Sequence, residues 1–297
     1  MYDERIVATG ISQGRLFLFV IELLGENYVF NKVVNLGKSD SLAVHSMEVS
    51  ENTVYMADSY NNKIYKYDFI SNDFLETNVG RDPRHMCLDN ENIYVANFES
   101  DNISIIDLNL FTLTGSIPAG IKAHDVIYSE KNNSLYTSCY EENEVVEYII
   151  DNGRSRSFRT EGKPMHLFEL NDTIMAMTYY ANGNIHTKIN FINLNSTMIE
   201  DIIVMDGLCS DFLLDYENNM LYIINIVDKS LYTIDAVLRK IIKKVYLGGY
   251  PESLACGKNN IYVTNSKRQQ ITIINKKEHN LRVIDLEFVP DLIKVIH

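Results

Sequence analysis

Four of the seven histidines in this 297-residue chain stand one or two residues before the apolar residue of a short strand-like segment. The same two positions in other segments of this kind hold an arginine and several carboxylates. The candidate ligand-binding residues are therefore His45, Arg84, His85, His124, Asp125, His166, Asp211, Glu252 and Asp291. Imidazoles and carboxylates that converge on one cavity can bind a metal, transfer protons to a ligand, or hold a polar ligand.

The clustering of the histidines is the main chemical signal of the sequence. Seven segments provide fourteen such positions, where an even spread of the histidines would place about 0.3 of one, and four are found. We expect these residues to lie where the innermost strands of a propeller enter its central channel. The alternative is that polar residues at such strand starts only bind water or cap blade edges.

The elements that position these residues come from an internal repeat. An Ile-Tyr-Val-x-Asn segment, a polar turn and an Ile-x-Ile-Ile-Asp segment recur, as in residues 93–107 and 261–275. The second residue of each repeat gives a spacing of 39 to 48 residues; these residues are Val7, Tyr55, Tyr94, Tyr136, Met175, Tyr222 and Tyr262. The period-two alternation and the spacing predict four-stranded propeller blades.

The two ends of the chain together supply the strands of the first blade. The first repeat lacks the short apolar strand that precedes the other six, while the segment from Val289 to Val295 resembles the strand that precedes the last repeat. We therefore predict an all-β fold, a seven-bladed β-propeller of four-stranded antiparallel blades closed by the C-terminal strand joining the first blade. It forms one domain over residues 1–297.

The repeats resemble those of the YVTN-repeat, or YncE-like, β-propeller family. Ile93–Asn97, Ile103–Asp107 and Ile261–Asn265 carry this likeness, and Val54–Ile64 is also similar to an NHL repeat. The first repeat lacks the Tyr and Asn, and the repeat around Met175 diverges from the pattern. Because these motifs specify strands and turns, the resemblance implies the fold and leaves the function open.

Composition narrows the classes of partner. The net charge of −13 argues against binding to nucleic acid or to anionic membranes, which require clustered Lys and Arg. The four cysteines lie far apart without metal-ligand spacing, and we expect them to be reduced thiols. No secretory leader or membrane-spanning segment is visible, so we expect a cytoplasmic location.

Three functions remain open from the sequence. The first is a non-catalytic binding or interaction propeller that holds a small polar ligand, or an ion such as a divalent metal, at the channel mouth, or that docks a protein. The second is a propeller hydrolase, lactonase or lyase that uses the histidines and carboxylates. The third is a structural component of a larger assembly. We favour the first because no complete catalytic constellation can be read, and the sequence identifies neither the cofactor nor the oligomeric state.

Overall fold

The structure of this protein is a computed structural model that describes residues 4–25 and 27–296. These residues form 28 strands in seven four-stranded sheets, and two short 3-10 helices at Ser39–Ser41 and Ser266–Arg268. The fold is a seven-bladed β-propeller, as the sequence predicts. No helix within the described ranges has the length and hydropathy that a membrane crossing requires.

Each sheet is one blade, and its strands follow one another in chain order in six of the seven blades. The first three blades consist of β1 (Glu4–Ser12), β2 (Arg15–Leu24) and β3 (Asn27–Lys38); β4 (Val44–Ser50), β5 (Thr53–Asp58), β6 (Lys63–Asp68) and β7 (Phe74–Asn78); and β8 (Pro83–Leu88), β9 (Asn92–Asn97), β10 (Asn102–Asp107) and β11 (Leu113–Pro118). The first blade takes its remaining strand from the C-terminus.

The later blades have the same organisation. They consist of β12 (Ala123–Ser129), β13 (Ser134–Cys139), β14 (Glu144–Ile149) and β15 (Ser155–Arg159); β16 (Lys163–Leu170), β17 (Thr173–Asn182), β18 (Asn184–Asn193) and β19 (Ile199–Asp206); β20 (Cys209–Asp215), β21 (Met220–Asn225), β22 (Ser230–Asp235) and β23 (Lys240–Tyr246); and β24 (Pro251–Cys256), β25 (Asn260–Asn265), β26 (Gln270–Asn275) and β27 (Leu281–Asp285).

The final strand, β28 (Val289–Ile296), completes the first blade. It pairs antiparallel with β1, so that Val295 lies opposite Ile6 and Ile293 lies opposite Ala8. This pairing covers the edge of β1, which would otherwise present unpaired backbone groups. The prediction that the C-terminal strand joins the first blade is therefore confirmed.

The residues of the repeat motif have two local roles in the blades, in the buried second strand and in the turn after the third strand. The Ile-Tyr-Val-x-Asn segments form the second strands, which are buried along nearly their whole length. In five blades the third strand ends on an Asp or Asn that accepts backbone N–H groups two and three residues later. Asp107, for example, accepts from Asn109 and Leu110 at 2.9 and 2.7 Å. Such Asx turns fix the hairpin to the outer strand, which explains why the motif ends on an acid or an amide.

The described chain divides into two compact units. One contains the chain up to Ala43, Val49–Val54 and the chain from Cys209 onward, and the other contains Val44–Glu48 and Tyr55–Leu208. Within each unit, apolar side chains of neighbouring blades pack together, as Tyr136 and Phe158 of the fourth blade do against Leu167 of the fifth. His45, His85, His124 and His166 all belong to the second unit.

Candidate metal centre

In six blades the predicted site residues lie at, or directly beside, a register shift near the start of the first strand. In β8, Arg84 and His85 together face the single residue Ala96, because Pro83 pairs with Asn97 and Met86 pairs with Val95. In β12, His124 and Asp125 occupy the equivalent place. A bulge of this kind turns side chains out of the normal alternation of a strand. The bulges therefore redirect these side chains near the start of each strand.

Four histidines from four successive blades form one cluster. The ring centroid of His45 lies 5.1 Å from that of His85 and 5.4 Å from that of His124. His166 joins them at 4.6 Å from His85 and 5.5 Å from His124. His124 is buried, and the other three histidines are partly buried. We call these four residues the histidine cluster.

Three members of the histidine cluster could together hold a metal ion. The ligand atoms of His45, His85 and His124 all lie within 4.8 Å of one another. Nitrogens bound to one zinc ion at 2.0–2.1 Å in a tetrahedral site stand about 3.4 Å apart. Modest side-chain rotations would therefore bring the three imidazoles onto one ion.

The orientation of His124 leaves one of its nitrogens available. Its Nδ1 lies 3.3 Å from the backbone carbonyl oxygen of Met165. A carbonyl oxygen only accepts, so Nδ1 carries the proton and donates it, and Nε2 keeps its lone pair. A hydrogen bond from the second ring nitrogen to a carbonyl is the usual support of a metal-binding histidine.

Burial favours the neutral imidazole at His45 and His124. It lowers the pKa of His45 from 6.5 to about 3, with smaller contributions from the charges of Arg84 and His166. Burial also lowers the pKa of His124 well below its usual value, again with contributions from neighbouring charged groups. Because a metal binds the neutral imidazole, these two side chains are in the ligating protonation state at neutral pH.

Arg84 is the cation beside the cluster. Its Nη1 lies 3.4 Å from Nδ1 of His45, and its Nη2 donates to Asp82 at 2.8 Å. The guanidinium also lies over the ring of Phe98, at 4.8 Å from the centroid. The ring of Phe98 stands edge-on to that of His124 at a centroid distance of 6.0 Å. Arg84 is therefore held by a carboxylate and an aromatic ring next to the histidines.

Asp125 and Asp211 join neighbouring blades. Asp125 accepts the backbone N–H of Val126 and that of Leu167 in the next blade, at 2.8 and 2.9 Å. Asp211 likewise accepts from Phe212 and from Leu254 of the next blade, at 2.8 and 2.6 Å. These carboxylates satisfy backbone donors at the bulges, which gives both residues a structural role.

Glu252 and Asp291 belong to the unit that contains the chain from Cys209 onward. Burial raises the pKa of Asp291 to about 7, the negative charge of Glu252 adds to the rise, and a hydrogen bond with Thr9 opposes it. Burial raises the pKa of Glu252 as well. The two residues form a second group of carboxyl side chains whose pKa values are both raised.

The sequence analysis did not select three groups that lie beside the histidine cluster or beside Arg84. They are Phe98, Asp82 and the carbonyl group of Met165. Phe98 follows Asn97 at the end of a second strand, and Tyr140 stands in the corresponding place after Cys139. The rings of Phe98 and Tyr140 lie 5.9 Å apart. The aromatic residue directly after the second strand in these two successive blades is the sequence feature that could have identified Phe98.

The comparisons with known proteins concern the fold. No family model and no curated protein matches this chain, and the YVTN or YncE-like assignment remains a prediction. A putative 6-phosphogluconolactonase from Bacteroides fragilis shares 11% identity, with 99% of this chain and 98% of that chain covered and a TM-score of 0.76. The periplasmic gluconolactonase PpgL of Pseudomonas aeruginosa shares 12%, with 99% of both chains covered and a TM-score of 0.69.

A third solved structure, apo AztD from Citrobacter koseri, shares 14% identity, with 98% of this chain and 97% of that chain covered and a TM-score of 0.62. Identities this low carry the architecture and no activity. The agreement over nearly the whole length supports one conclusion, that this chain has the fold of a seven-bladed β-propeller.

Proposed function

We propose that this protein binds a divalent transition-metal ion through the histidine cluster and acts as a binding propeller. The observation that carries the proposal is the convergence of ligand atoms from His45, His85 and His124 within 4.8 Å. His166 stands beside them as a fourth imidazole, 4.6 Å from His85 between ring centroids. An all-imidazole set suits zinc, copper or nickel better than magnesium or calcium, which prefer oxygen ligands.

The electrostatics support reversible capture of such an ion. The pKa values of His45 and His124 are lowered, so these ligands need not lose a proton at neutral pH before binding. The carboxylate next to His124 in the chain, Asp125, is bonded to the backbone of the next blade. The proposed ligand set consists of imidazoles, which favours weaker binding than a set containing thiolates or carboxylates.

A zinc titration tests the proposal. The metal-free protein is titrated with Zn²⁺ against a fluorescent chelator, alongside His85→Gln, His124→Gln and a control, His186→Gln. His186 is a surface histidine whose Nδ1 lies 3.0 Å from Asp206, outside the histidine cluster. We expect one ion per chain, an affinity loss of at least 30-fold in the two cluster variants, and no change in the control. Equal affinity in all four proteins would refute the proposal.

A second candidate function is hydrolysis of a sugar lactone. It is favoured by the names of similar structures, two putative 6-phosphogluconolactonases and a periplasmic gluconolactonase. A metal ion on the histidine cluster could polarise a lactone carbonyl. Proton release from gluconolactone, measured with and without Zn²⁺, separates the two functions. Hydrolysis that His85→Gln abolishes would make the protein an enzyme, and a rate equal to the buffer control would exclude this substrate.

The location of the protein and its macromolecular partners are part of the proposed function as well. The described structure contains four free thiols, which fits the expected cytoplasmic location. Cell fractionation would test that location, and recovery in a periplasmic fraction, the compartment named for PpgL, would contradict it. Docking of a protein partner remains a prediction. The expected lack of binding to nucleic acid or membranes remains a prediction from the charge of −13.

A further inference from the structure

The contact between Arg84 and His45 has a chemical consequence for any ion that enters the histidine cluster. Nη1 of Arg84 lies 3.4 Å from Nδ1 of His45. A guanidinium has donors and no acceptor, so Nδ1 must accept. A neutral imidazole has one lone pair in the ring plane and one N–H, and the proton of His45 is therefore on Nε2.

This arrangement occupies the only lone pair of His45. If a metal binds Nδ1, it needs the electron pair that now accepts from Arg84. If a metal binds Nε2, the proton must move to Nδ1, where it would face an N–H of Arg84. Either way, His45 becomes a ligand only after its contact with Arg84 breaks.

The surroundings of Arg84 provide a place to which the guanidinium can withdraw. Asp82 already accepts from Nη2 at 2.8 Å, and the ring of Phe98 lies 4.8 Å from the guanidinium carbon. A carboxylate and an aromatic face both stabilise a guanidinium. Arg84 can therefore give up His45 and keep its two other partners.

We propose that Arg84 competes with the metal ion for the lone pair of His45, so that ion capture requires the guanidinium to withdraw onto Asp82 and Phe98. This inference rests on the proposed metal-binding function and adds a residue that sets its affinity. Arg84 is thus a positioning residue that weakens binding in the wild-type protein, through both the occupied lone pair and the repulsion between two cations.

Two substitutions with opposite expected effects test this competition. Arg84→Met removes the competing donor and the charge, and we expect it to tighten Zn²⁺ binding at least tenfold. Asp82→Asn removes the carboxylate that holds the withdrawn guanidinium, and we expect it to weaken binding several-fold. The matched control is Lys122→Met, because the ammonium of Lys122 lies over the same Phe98 ring at 5.1 Å. We expect the control to bind Zn²⁺ as the wild type does.

A spectroscopic measurement separates competition from a structural disturbance. Long-range proton–nitrogen NMR spectra of the metal-free protein report which ring nitrogen of His45 carries the proton. We expect the Nε2–H form in the wild type and in Lys122→Met, and loss of that single preference in Arg84→Met. A loosened site alone would weaken binding and leave the tautomer unchanged.

The outcomes distinguish the competition by Arg84 from the proposed metal binding on which it rests. Wild-type protein that binds Zn²⁺, together with Arg84→Met that binds equally or more weakly, would overturn the competition and leave the metal site standing. Absence of Zn²⁺ binding in the wild type and in all variants would overturn the metal site itself. A wild-type His45 in the Nδ1–H form would also overturn the competition, whatever the affinities.

Discussion

The carboxylate of Asp125 accepts the backbone N–H of Leu167 at 2.9 Å, and the bond joins the fourth blade to the fifth. Asp211 forms the same bond with Leu254 between the sixth and seventh blades. Each carboxylate also accepts the N–H of the residue that follows it. A bulged strand start thus connects to the next blade through one short side chain.

Substitution of Asp125 should therefore reduce stability. In Asp125→Ala, the N–H of Leu167 loses its partner in a buried place, and we expect unfolding to become easier by about 2 kcal/mol. Urea unfolding followed by circular dichroism measures the change. The control Glu217→Ala alters an exposed acid and should stay within about 0.5 kcal/mol of the wild type. Equal stability of Asp125→Ala and this control would contradict the structural role.

The raised pKa of Asp291 predicts that stability falls as the pH rises from 3.8 to about 7. Its pKa is raised from 3.8 to about 7, so the folded state holds a proton that the unfolded state releases. The contribution to stability is complete below pH 3.8 and is lost as the pH rises through 7. Between pH 5 and pH 8 we expect a loss of about 2 kcal/mol, absent in Asp291→Asn. Parallel pH profiles for both proteins would show that Asp291 does not titrate in this way.

His45 predicts a loss of stability on the acid side. Its pKa is lowered from 6.5 to about 3, so between these values the unfolded state binds a proton that the folded state excludes. Stability should therefore fall as the pH drops below 6.5, by about 2 kcal/mol between pH 7 and pH 5. That figure is the contribution of His45 alone. His45→Gln should therefore show a smaller fall in stability, and the fall that remains is due to His124. Urea midpoints at the two pH values provide the test, and an undiminished fall in His45→Gln would count against the assignment.

A side chain at position 257 should clash with Glu4, where the first and seventh blades meet. Glu4 accepts the backbone N–H of Lys258 at 2.6 Å and also the hydroxyl of Tyr262. A Cβ atom on Gly257 would lie 1.9 Å from Oε1 of Glu4. We expect Gly257→Ala to displace that carboxylate and to cost about 2 kcal/mol in thermal or urea unfolding.

Gly115→Ala is the matched control for this substitution. An added Cβ there meets its nearest neighbour, Ile105, at an ordinary 3.7 Å. Replacement of glycine without strain usually stabilises a protein slightly, because the unfolded chain loses freedom. Gly257→Ala that matches Gly115→Ala in stability would show that the Glu4 contact can rearrange without cost.

Much of the fold was predictable because the repeat motif encodes local interactions. The alternating Ile, Tyr and Val residues specify buried second strands, and the closing Asp or Asn specifies the hairpin turn. The resemblance of residues 289–295 to a leading strand predicted that the C-terminal strand joins the first blade, and in the structure Val295 lies opposite Ile6.

The chemistry of the site was predictable only in part. Alignment of the strand starts selected His45, His85, His124 and His166, which the structure brings together. The same alignment could not separate them from Asp125 and Asp211, whose carboxylates bond to the backbone of the next blade. That distinction depends on the direction in which each bulge turns a side chain, which residue types alone do not determine.

The most direct test of the metal centre is anomalous diffraction at the zinc absorption edge from crystals grown with Zn²⁺. We predict one strong peak within about 2.2 Å of a nitrogen from each of His45, His85 and His124, with the guanidinium of Arg84 moved away from His45. The surface pair His186 and Asp206 provides an internal comparison for adventitious binding. A peak at that pair, with none among the three cluster histidines, would contradict the account.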